Sequence, residues 1–368
     1  MARKTVQKGK RSMLRNIVVG MIAVGVLLGF VLDPALAQKL TPFRMAVPWL
    51  PDGQFSFAFV AKEKGFFQKR GLDVTIDNLK GSMAAVNAIG GGQQYDAVIA
   101  DMGNMIVGVG RGFELIDLAM IQYKCPSGVI ALASKGIEKP KDLEGKIYLT
   151  TPGSGELVAW KAFVKINGID ESKVKVTYAE PRVWDSMILE GKGDYRGSFY
   201  AAVAPSYWAR GIKFKQILFA DWGLEMYSNS VVTRQEALQK KPEVLRAFTE
   251  AILEGLKYTY LYPEESVESH LKAVPDYRDT PENRALIRHG IGCTAALGLV
   301  NTPKDNGLGW MDPRVVEKTI DIIATYLGLE KRPSPDKVFT NRFAGSVKMT
   351  AAEWERALAL HKKYILPD

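Results

Sequence analysis

Two serines stand where helices are expected to begin after a glycine-containing turn. Ser82 follows Gly81, and Ser154 follows Gly153 and precedes Gly155. The free backbone N–H groups and the dipole at the start of a helix can bind a carboxylate, a sulfonate or a phosphate. Each serine could equally be an ordinary N-cap, which contributes about 1 kcal/mol to stability. The pattern therefore indicates either an anion site or two plain helix caps.

Three charged residues could set the polarity of such a site. Glu156 lies near the start of the second helix, where it would repel an anion but could pair with an amine or an amidine-like ring nitrogen. It could also simply complement the helix dipole. Asp101 follows the apolar run 97–100 and could bind a ligand donor or cap the next helix. Arg182 could hold a carboxylate through two hydrogen bonds, although a surface ion pair with Asp185 is the simpler interpretation.

Four aromatic side chains could form the walls of a binding site. Large aromatic groups stack on planar or apolar ligands, but they also dominate hydrophobic cores. Binding and core packing are therefore both open for Trp49, Tyr123, Tyr200 and Trp222. With the serines, Gly155 and the charged residues, they make ten candidate ligand-binding residues.

The residue types needed for catalysis are sparse. The only histidines are His270, His289 and His361, all in the last third of the chain. His289 and Cys293 are four residues apart, which is a weak metal signal without further ligands. The sequence contains neither a glycine-rich phosphate loop followed by Lys-Ser/Thr nor a Gly-x-Ser-x-Gly turn. We expect no catalytic residues, no metal and no cofactor, and we expect Cys125 and Cys293 to be buried thiols and not a disulfide.

Alternating strands and helices are needed to bring the ten candidates together. Residues 72–79 alternate apolar and polar side chains with the period of a strand. Further strands are predicted at 43–49, 97–100, 115–123, 147–150, 174–178 and 198–200, with helical segments between most of them. Such alternation predicts an α/β fold with parallel sheets covered by helices. Ligands of such sheets lie beyond the carboxyl ends of the strands, and the ten candidates lie at or near predicted strand ends.

Several stretches carry a resemblance to a known family. The specific ones are Ala46–Trp49, Phe59–Phe67 and Gly71–Val74, and weaker ones are Pro140–Lys146, Lys241–Val244 and Tyr262–Glu264. These stretches resemble the nitrate, taurine, alkanesulfonate and thiamine-pyrimidine binding proteins of ABC importers, a group that includes a thiamine-pyrimidine-synthase-like branch.

The resemblance implies a type II periplasmic-binding-protein fold with two lobes. Each lobe would be a mostly parallel sheet flanked by helices, and the ligand would bind in the cleft between the lobes. We expect the first lobe at 38–133 plus 229–368 and the second at 134–228. The crossing segments are expected near Pro126–Ala133 and Asn229–Thr233.

The resemblance also implies a function. We expect a monomeric binding protein that delivers a small organic molecule, such as a sulfonate, a carboxylate or a pyrimidine-like compound, to an ABC permease. One alternative is a thiamine-pyrimidine-synthase-like enzyme, but such enzymes use a cysteine-rich segment and a reactive histidine that have no counterpart here. The other alternative is a sensing module that reports its ligand to a membrane partner.

The first 37 residues have the pattern of a cleaved signal peptide. A basic start is followed by the apolar run 17–32 and by Ala35-Leu36-Ala37, which suits a signal peptidase. An uncleaved anchor is the alternative, although the run is shorter than the roughly 20 residues that span a bilayer. The segment holds six of the basic residues and one acid, so the net charge of +9 falls to +4 without it. This modest charge gives no indication of nucleic-acid binding, and we expect a periplasmic protein.

Overall fold

The computed structural model describes residues 39–92, 94–152 and 154–365. The predicted signal peptide at 1–37 lies outside the described residues. Thr41–Asp368 forms one compact unit, and it contains two five-stranded sheets. None of the helices in the described part of the chain is both long and apolar enough to cross a bilayer.

The first sheet has the strand order β2-β1-β3-β10-β4. Its strands are β1 Thr41–Val47, β2 Leu72–Asn78, β3 Ala97–Asp101, β4 Leu115–Met120 and β10 Asn229–Arg234. The second sheet has the strand order β7-β6-β8-β5-β9. Its strands are β5 Ser127–Leu132, β6 Ile147–Thr150, β7 Lys175–Tyr178, β8 Tyr195–Phe199 and β9 Phe214–Leu218.

Each sheet is mostly parallel and contains one reversed strand. In the first sheet β10 is antiparallel to both β3 and β4, so the other four strands share one direction. In the second sheet β5 is antiparallel to both β8 and β9. Each reversed strand is the first one that the chain forms after it passes from the other sheet. The prediction of two mostly parallel sheets in an α/β fold is confirmed.

Helices connect and cover the strands. In chain order they are α1 Ser56–Glu63, α2 Ser82–Gly92, α3 Met102–Gly110, α4 Gly155–Ile166, α5 Pro181–Leu189, α6 Tyr200–Ala209, α7 Gln235–Lys240, α8 Pro242–Leu261, α9 Pro263–Ala273, α10 Pro281–Gly298, α11 Asn301–Asn306, α12 Pro313–Leu327 and α13 Ala351–Lys362. A short 3₁₀ turn, Gly53–Phe55, precedes α1.

Aromatic packing joins the first sheet to its long covering helix. The rings of Phe43 on β1 and Phe248 on α8 stack with centroids 4.3 Å apart, and Phe67 stacks on the same ring at 5.7 Å. Helix α1 approaches α8 closely at Gly255, where an added Cβ would lie 2.3 Å from the carbonyl oxygen of Phe57. This contact requires glycine, and it holds the β1–α1 connection against the body of the protein.

Buried side chains of both sheets belong to one apolar cluster. It includes Val98 and Met120 from the first sheet, and Val129 and Tyr148 from the second. Helices α3 and α4, each of which follows a strand of a different sheet, also contact one another. The two sheets therefore share part of their core near these helices.

Some elements differ from the sequence-based expectations. Residues 198–200 were predicted as a strand, but β8 ends at Phe199 and Tyr200 begins α6. Helix α6 was not predicted, because it contains Pro205. A helix after Asp101 was expected, but its range was not, because α3 contains three glycines, which are poor helix formers. The crossings expected near Pro126–Ala133 and Asn229–Thr233 coincide with strands β5 and β10, and the chain passes between the sheets just before each. The lobe boundaries stay a prediction.

Candidate functional site

All ten candidate residues lie at the carboxyl end of a strand or follow it within six residues. In the first sheet Trp49 follows β1, Ser82 follows β2, Asp101 ends β3 and Tyr123 follows β4. The remaining candidates follow strands of the second sheet, namely Ser154, Gly155, Glu156, Arg182, Tyr200 and Trp222. The reversed strands β10 and β5 start at these same two edges. In α/β sheets this edge is where ligands bind.

Asp101 is the centre of a buried hydrogen-bond network at the edge of the first sheet. Its carboxylate accepts hydrogen bonds from the backbone N–H of Asn104 at 3.1 Å, from Asn104 Nδ2 at 3.1 Å and from Ser228 Oγ at 2.8 Å. It therefore caps α3, as one of the two interpretations predicted. Burial raises the pKa of Asp101, and the hydrogen bonds from Ser228 and Asn104 oppose that increase.

Ser82 belongs to the same network. Its hydroxyl oxygen accepts a hydrogen bond from the backbone N–H of Asp101 at 3.1 Å, and its side chain is buried. The hydroxyl thus joins the start of α2 to the end of β3. It holds the edge of the sheet together, a contact that neither the anion-site nor the N-cap interpretation anticipated.

Three buried amide side chains around Asp101 have an oxygen without a hydrogen-bond partner among the described residues. These atoms are Asn104 Oδ1, Gln122 Oε1 and Asn229 Oδ1, on residues that are at most 2% exposed. The three residues lie together, because Asn229 pairs with Asp101 across β10 and β3 and the backbone N–H of Gln122 donates to Asn229 O. Buried polar atoms are almost always paired in folded proteins. The unpaired oxygens at this strand edge are acceptors, so a polar molecule with donor groups would supply the partners that they lack.

Glu156 forms a second buried cluster at the edge of the second sheet. Its Oε1 accepts hydrogen bonds from Ser154 Oγ at 2.7 Å and from Thr150 Oγ1 at 3.1 Å. The side chain is 6% exposed and lies on Gly197 of β8, where an added Cβ would be only 2.2 Å from Oε1. Burial raises the pKa of Glu156, while hydrogen bonds from Ser154 and Thr150 act in the opposite direction.

Ser154 occupies the N-cap position of α4 but does not act as a capping side chain. Its hydroxyl donates to Glu156 and accepts no hydrogen bond from the first turn of the helix. The plain N-cap interpretation of Ser154 is therefore wrong in its hydrogen bond, since the hydroxyl is directed to the Glu156 carboxylate and not to the backbone of the first turn.

The aromatic candidates differ in their surroundings. Tyr123 is buried and meets Tyr227 edge to face, with ring centroids 5.7 Å apart. Trp49 is half-buried against the core of the first sheet, and Tyr200 packs edge to face on Trp208 at 6.0 Å. Trp222 is the most accessible of the four, at 39% exposed.

Arg182 is exposed on α5, and its expected ion pair with Asp185 is not formed. The Asp185 carboxylate instead pairs with Arg196 at 2.9 Å and with Arg210 at 2.9 Å. These partners come from β8 and from the end of α6, so tertiary contacts decide the pairing and sequence spacing does not.

The cysteines and histidines have structural contacts. Cys125 and Cys293 are both buried and are not joined by a disulfide, as predicted. His289 Nδ1 lies 2.7 Å from the carbonyl oxygen of Tyr364. Within residues 39–92, 94–152 and 154–365 there is no group of three His, Cys, Asp or Glu side chains placed to hold a metal ion.

An open cavity of about 560 Å³ lies along α3. Its walls include Asn104 and Val107 of α3, Met83 of α2, and Leu327 and Leu329 at the end of α12. None of the ten candidates lines it, but Asn104 belongs both to this wall and to the network around Asp101.

Sequence reasoning missed the three amides and Gly197. A signal was available for Gln122, which is the only polar residue in the run 118–123 besides Tyr123. Asn229 carries no comparable signal, because it opens a strand that also contains Ser230, Thr233 and Arg234. The role of Gly197 had no sequence signal, because it depends on a contact with a side chain 41 positions earlier.

Comparison with known proteins agrees with the fold. The aliphatic sulphonate binding protein SsuA from Escherichia coli, a periplasmic protein, superposes with a TM-score of 0.64 at 12% identity, over 80% of this chain and 91% of that one. The formylaminopyrimidine-binding protein of Halalkalibacterium halodurans is 23% identical over 234 residues, which are 62% of this chain and 70% of the relative. The riboflavin-binding protein RibY of Chloroflexus aurantiacus is 20% identical over 314 residues, or 84% of this chain and 88% of the relative.

Two sheets of this topology, with polar clusters at their carboxyl edges, define the two-lobed α/β fold of periplasmic binding proteins. The NMT1/THI5 like family model matches residues 52–266. The chain belongs to the NMT1/THI5 like family.

Proposed function

We propose that this chain is a solute-binding protein that captures a small organic molecule at the facing strand edges of its two lobes and delivers it to an ABC permease. The observation that carries the proposal is the pair of buried polar clusters around Asp101 and Glu156. Each stands at the carboxyl edge of a different sheet, and the first contains unpaired amide oxygens. A molecule held between both edges would give these atoms the partners that they lack.

The path of the chain suits hinge closure. Residues 121–126 lead from β4 to β5, and residues 219–228 lead back from β9 to β10. Backbone hydrogen bonds join the two connections, since Ser228 N–H donates to Gln122 O at 3.1 Å and Gln122 N–H donates to Asn229 O at 3.0 Å. Two adjacent crossing segments are the usual hinge of proteins that close on a ligand. We place the second lobe between these connections.

The burial and hydrogen bonding of two of the three histidines support a binding role over catalysis. His270 Nε2 lies 2.9 Å from the carbonyl oxygen of Pro51, and His361 Nε2 lies 3.0 Å from that of Tyr260. Both rings are buried in the helical part of the protein, and burial lowers the pKa of each to about 4. The named relatives are binding proteins as well.

The proposed location is the periplasm, reached through the predicted signal peptide at 1–37. The relatives' names give two ligand types to begin with, a formylaminopyrimidine and riboflavin, and the sulphonate-binding neighbour gives a third. The monomeric state stays part of the proposal.

The proposal is tested by ligand-dependent melting of the purified protein. A compound at 100 times its Kd stabilises the folded state by about 2.7 kcal/mol, which corresponds to a rise in Tm of roughly 4 °C for a protein of this size. Alanine substitution across the ten candidates, with Kd measured by calorimetry, then locates the site. Trp222→Ala should weaken binding, whereas Tyr262→Ala, which removes a similarly exposed aromatic group between α8 and α9, should not. Binding that survives all ten substitutions would place the site elsewhere.

A further inference from the structure

The open cavity along α3 extends away from the strand edges where the ten candidate residues stand. Its floor is one face of α3, because Asn104, Val107 and Arg111 are spaced by three and four residues along the helix. Its walls come from Met83 in the first turn of α2 and from the turn that follows α12. No residue of a described strand lines it. Its volume of about 560 Å³ is that of a site for a small molecule.

Two glycines bring the turn after α12 onto α3. Gly328 ends α12 with a φ of +64°, a left-handed conformation that glycine adopts without strain. The turn then carries Leu329 onto Gly110 of α3, where an added Cβ would lie 3.3 Å from Leu329 Cδ2. Leu329 and Glu330 thereby become part of the wall of the cavity. The shape of this wall depends on backbone geometry, because it follows from the turn at Gly328 and the close approach at Gly110.

Asn104 places a hydrogen-bond acceptor at one end of the cavity. Its Nδ2 donates to the Asp101 carboxylate at 3.1 Å, so the amide oxygen is the polar atom of this side chain that is left for a molecule in the cavity. This Oδ1 is buried and has no hydrogen-bond partner among the described residues. The other two unpaired amides, Gln122 and Asn229, do not line the cavity. A molecule that reaches Asn104 therefore needs an O–H or N–H group at that end, because a carbonyl oxygen only accepts.

Two charged side chains stand at the other end of the cavity. Arg111 lies seven residues beyond Asn104, which is about 10 Å along the helix. Arg111 and Glu330 are both exposed and both line the cavity, yet neither forms an ion pair with a charged group in the described part of the chain. The Arg111 guanidinium instead lies 3.9 Å from Met83 Sδ. A cation and an anion that do not pair with each other can each bind the opposite charge of a zwitterion.

We propose that this cavity is a second binding site, and that it takes an amino acid whose aromatic side chain ends in a hydrogen-bond donor. The carboxylate of the amino acid pairs with Arg111, its ammonium group pairs with Glu330, and its hydroxyl or ring N–H donates to Asn104 Oδ1. The aromatic ring lies between these ends on the apolar part of the lining, which is Met83, Val107, Leu327 and Leu329. Tyrosine and tryptophan have this combination of groups.

The experiment is titration calorimetry with four related compounds. L-Tyrosine carries all three groups, whereas L-phenylalanine lacks the hydroxyl, tyramine lacks the carboxylate and N-acetyl-L-tyrosine lacks the ammonium group. The variants are Arg111→Gln and Glu330→Gln, each of which removes one charge at an exposed position. Arg278→Gln, at an exposed arginine between α9 and α10 and outside the cavity, is the matched control. Melting curves of each variant without ligand verify that it is folded.

We expect L-tyrosine to bind the unaltered protein. Its Kd should rise roughly threefold to tenfold in Arg111→Gln and in Glu330→Gln, because each variant loses a partly exposed charge pair, and it should stay within about twofold in Arg278→Gln. Tyramine should bind Arg111→Gln and the unaltered protein equally, because it has no carboxylate to lose a partner. N-acetyl-L-tyrosine should behave in the same way toward Glu330→Gln.

The role of Asn104 is tested by the ligands and requires no substitution of this buried residue. L-Phenylalanine should bind the unaltered protein roughly tenfold more weakly than L-tyrosine, because it leaves the buried Asn104 Oδ1 without a partner. Equal Kd values for the two amino acids would overturn the requirement for a donor at this end of the cavity.

Two further results would overturn the assignment of the cavity. An unchanged Kd for L-tyrosine in both folded charge variants would place the amino acid elsewhere in the protein. Failure of both L-tyrosine and L-tryptophan to bind would overturn the proposal as a whole. Neither result bears on the proposed solute-binding function, because none of the ten candidate residues lines this cavity and their substitutions test that function separately.

Discussion

Replacing Asp52 with asparagine should stabilise the protein at neutral pH. The Asp52 side chain is 7% exposed. Its Oδ1 accepts from the backbone N–H of Gln54 at 3.1 Å and its Oδ2 accepts from Gln54 Nε2 at 3.1 Å. These two bonds only partly offset the loss of water, so burial raises the pKa of Asp52 from 3.8 to about 7. The carboxyl group is therefore more costly to ionise in the folded protein than in the unfolded chain.

Proton binding determines whether the ionisation of Asp52 raises or lowers the stability of the folded protein. Between pH 4 and pH 7 the folded protein holds a proton on Asp52 that the unfolded chain has lost, so stability falls as pH rises through this window. The full difference between about 7 and 3.8 is worth roughly 4 kcal/mol above pH 7. Asp52→Asn removes this loss of stability, because the asparagine side chain does not ionise. Gln54 Oε1, which is buried without a partner among the described residues, can accept from the new amide after the Gln54 side chain turns over.

The assay is urea unfolding of both proteins at intervals from pH 3 to pH 8. The two free energies of unfolding should agree near pH 3 and should separate with rising pH, with Asp52→Asn the more stable by up to about 4 kcal/mol. His270, whose pKa is lowered by burial to about 4, affects both proteins equally and cancels in the difference. Asp73→Asn, at an exposed position of β2, is the control. Parallel pH profiles for Asp52→Asn and the unaltered protein would refute the reasoning.

Two further substitutions test packing and capping. Gly255→Ala should destabilise by about 1–3 kcal/mol in urea unfolding, because its Cβ would collide with the Phe57 carbonyl. Gly91→Ala should be neutral or stabilising by up to about 1 kcal/mol, since this exposed helical glycine has space for a Cβ. An equal loss of stability in the Gly255→Ala and Gly91→Ala variants would contradict the argument that Gly255 is required by a close contact. Thr350→Ala should lower the free energy of unfolding by about 1 kcal/mol, because it breaks the reciprocal cap with Glu353 at the start of α13, and an unchanged urea midpoint would refute this.

Local patterns predicted much of the fold. The alternation of Leu72, Val74 and Ile76 matches the strand β2, and the apolar run at 147–150 is the strand β6. These signals are contained within a few residues, since side chains alternate along any strand with one buried face. The family resemblance supplied the two-lobed arrangement, which local periodicity alone does not specify.

The contacts within the site were less predictable, because they join distant parts of the chain. Asp101 was identified from its place after a strand, but its bond to Ser228 spans 127 positions. The carboxylate of Asp185 was expected to pair with Arg182 nearby and is held instead by Arg196 and Arg210. Which polar group meets which is decided by the packing of strands and helices. The sequence alone therefore indicated which residues lie near the site, but it did not indicate which of them form hydrogen bonds or ion pairs with one another.

The position of β10 in the first sheet affects the order in which the two sheets can form while the chain is being translated. This strand lies between β3 and β4, yet it is made more than a hundred residues after them. A chain that leaves the ribosome from its N-terminus therefore holds two open strand edges until residue 234 emerges. Every strand of the other sheet has by then been translated, because β9 ends at Leu218. All strands of the second sheet lie between β4 and β10 in the sequence. The second sheet can therefore form completely before the first sheet, although the chain begins with strands of the first.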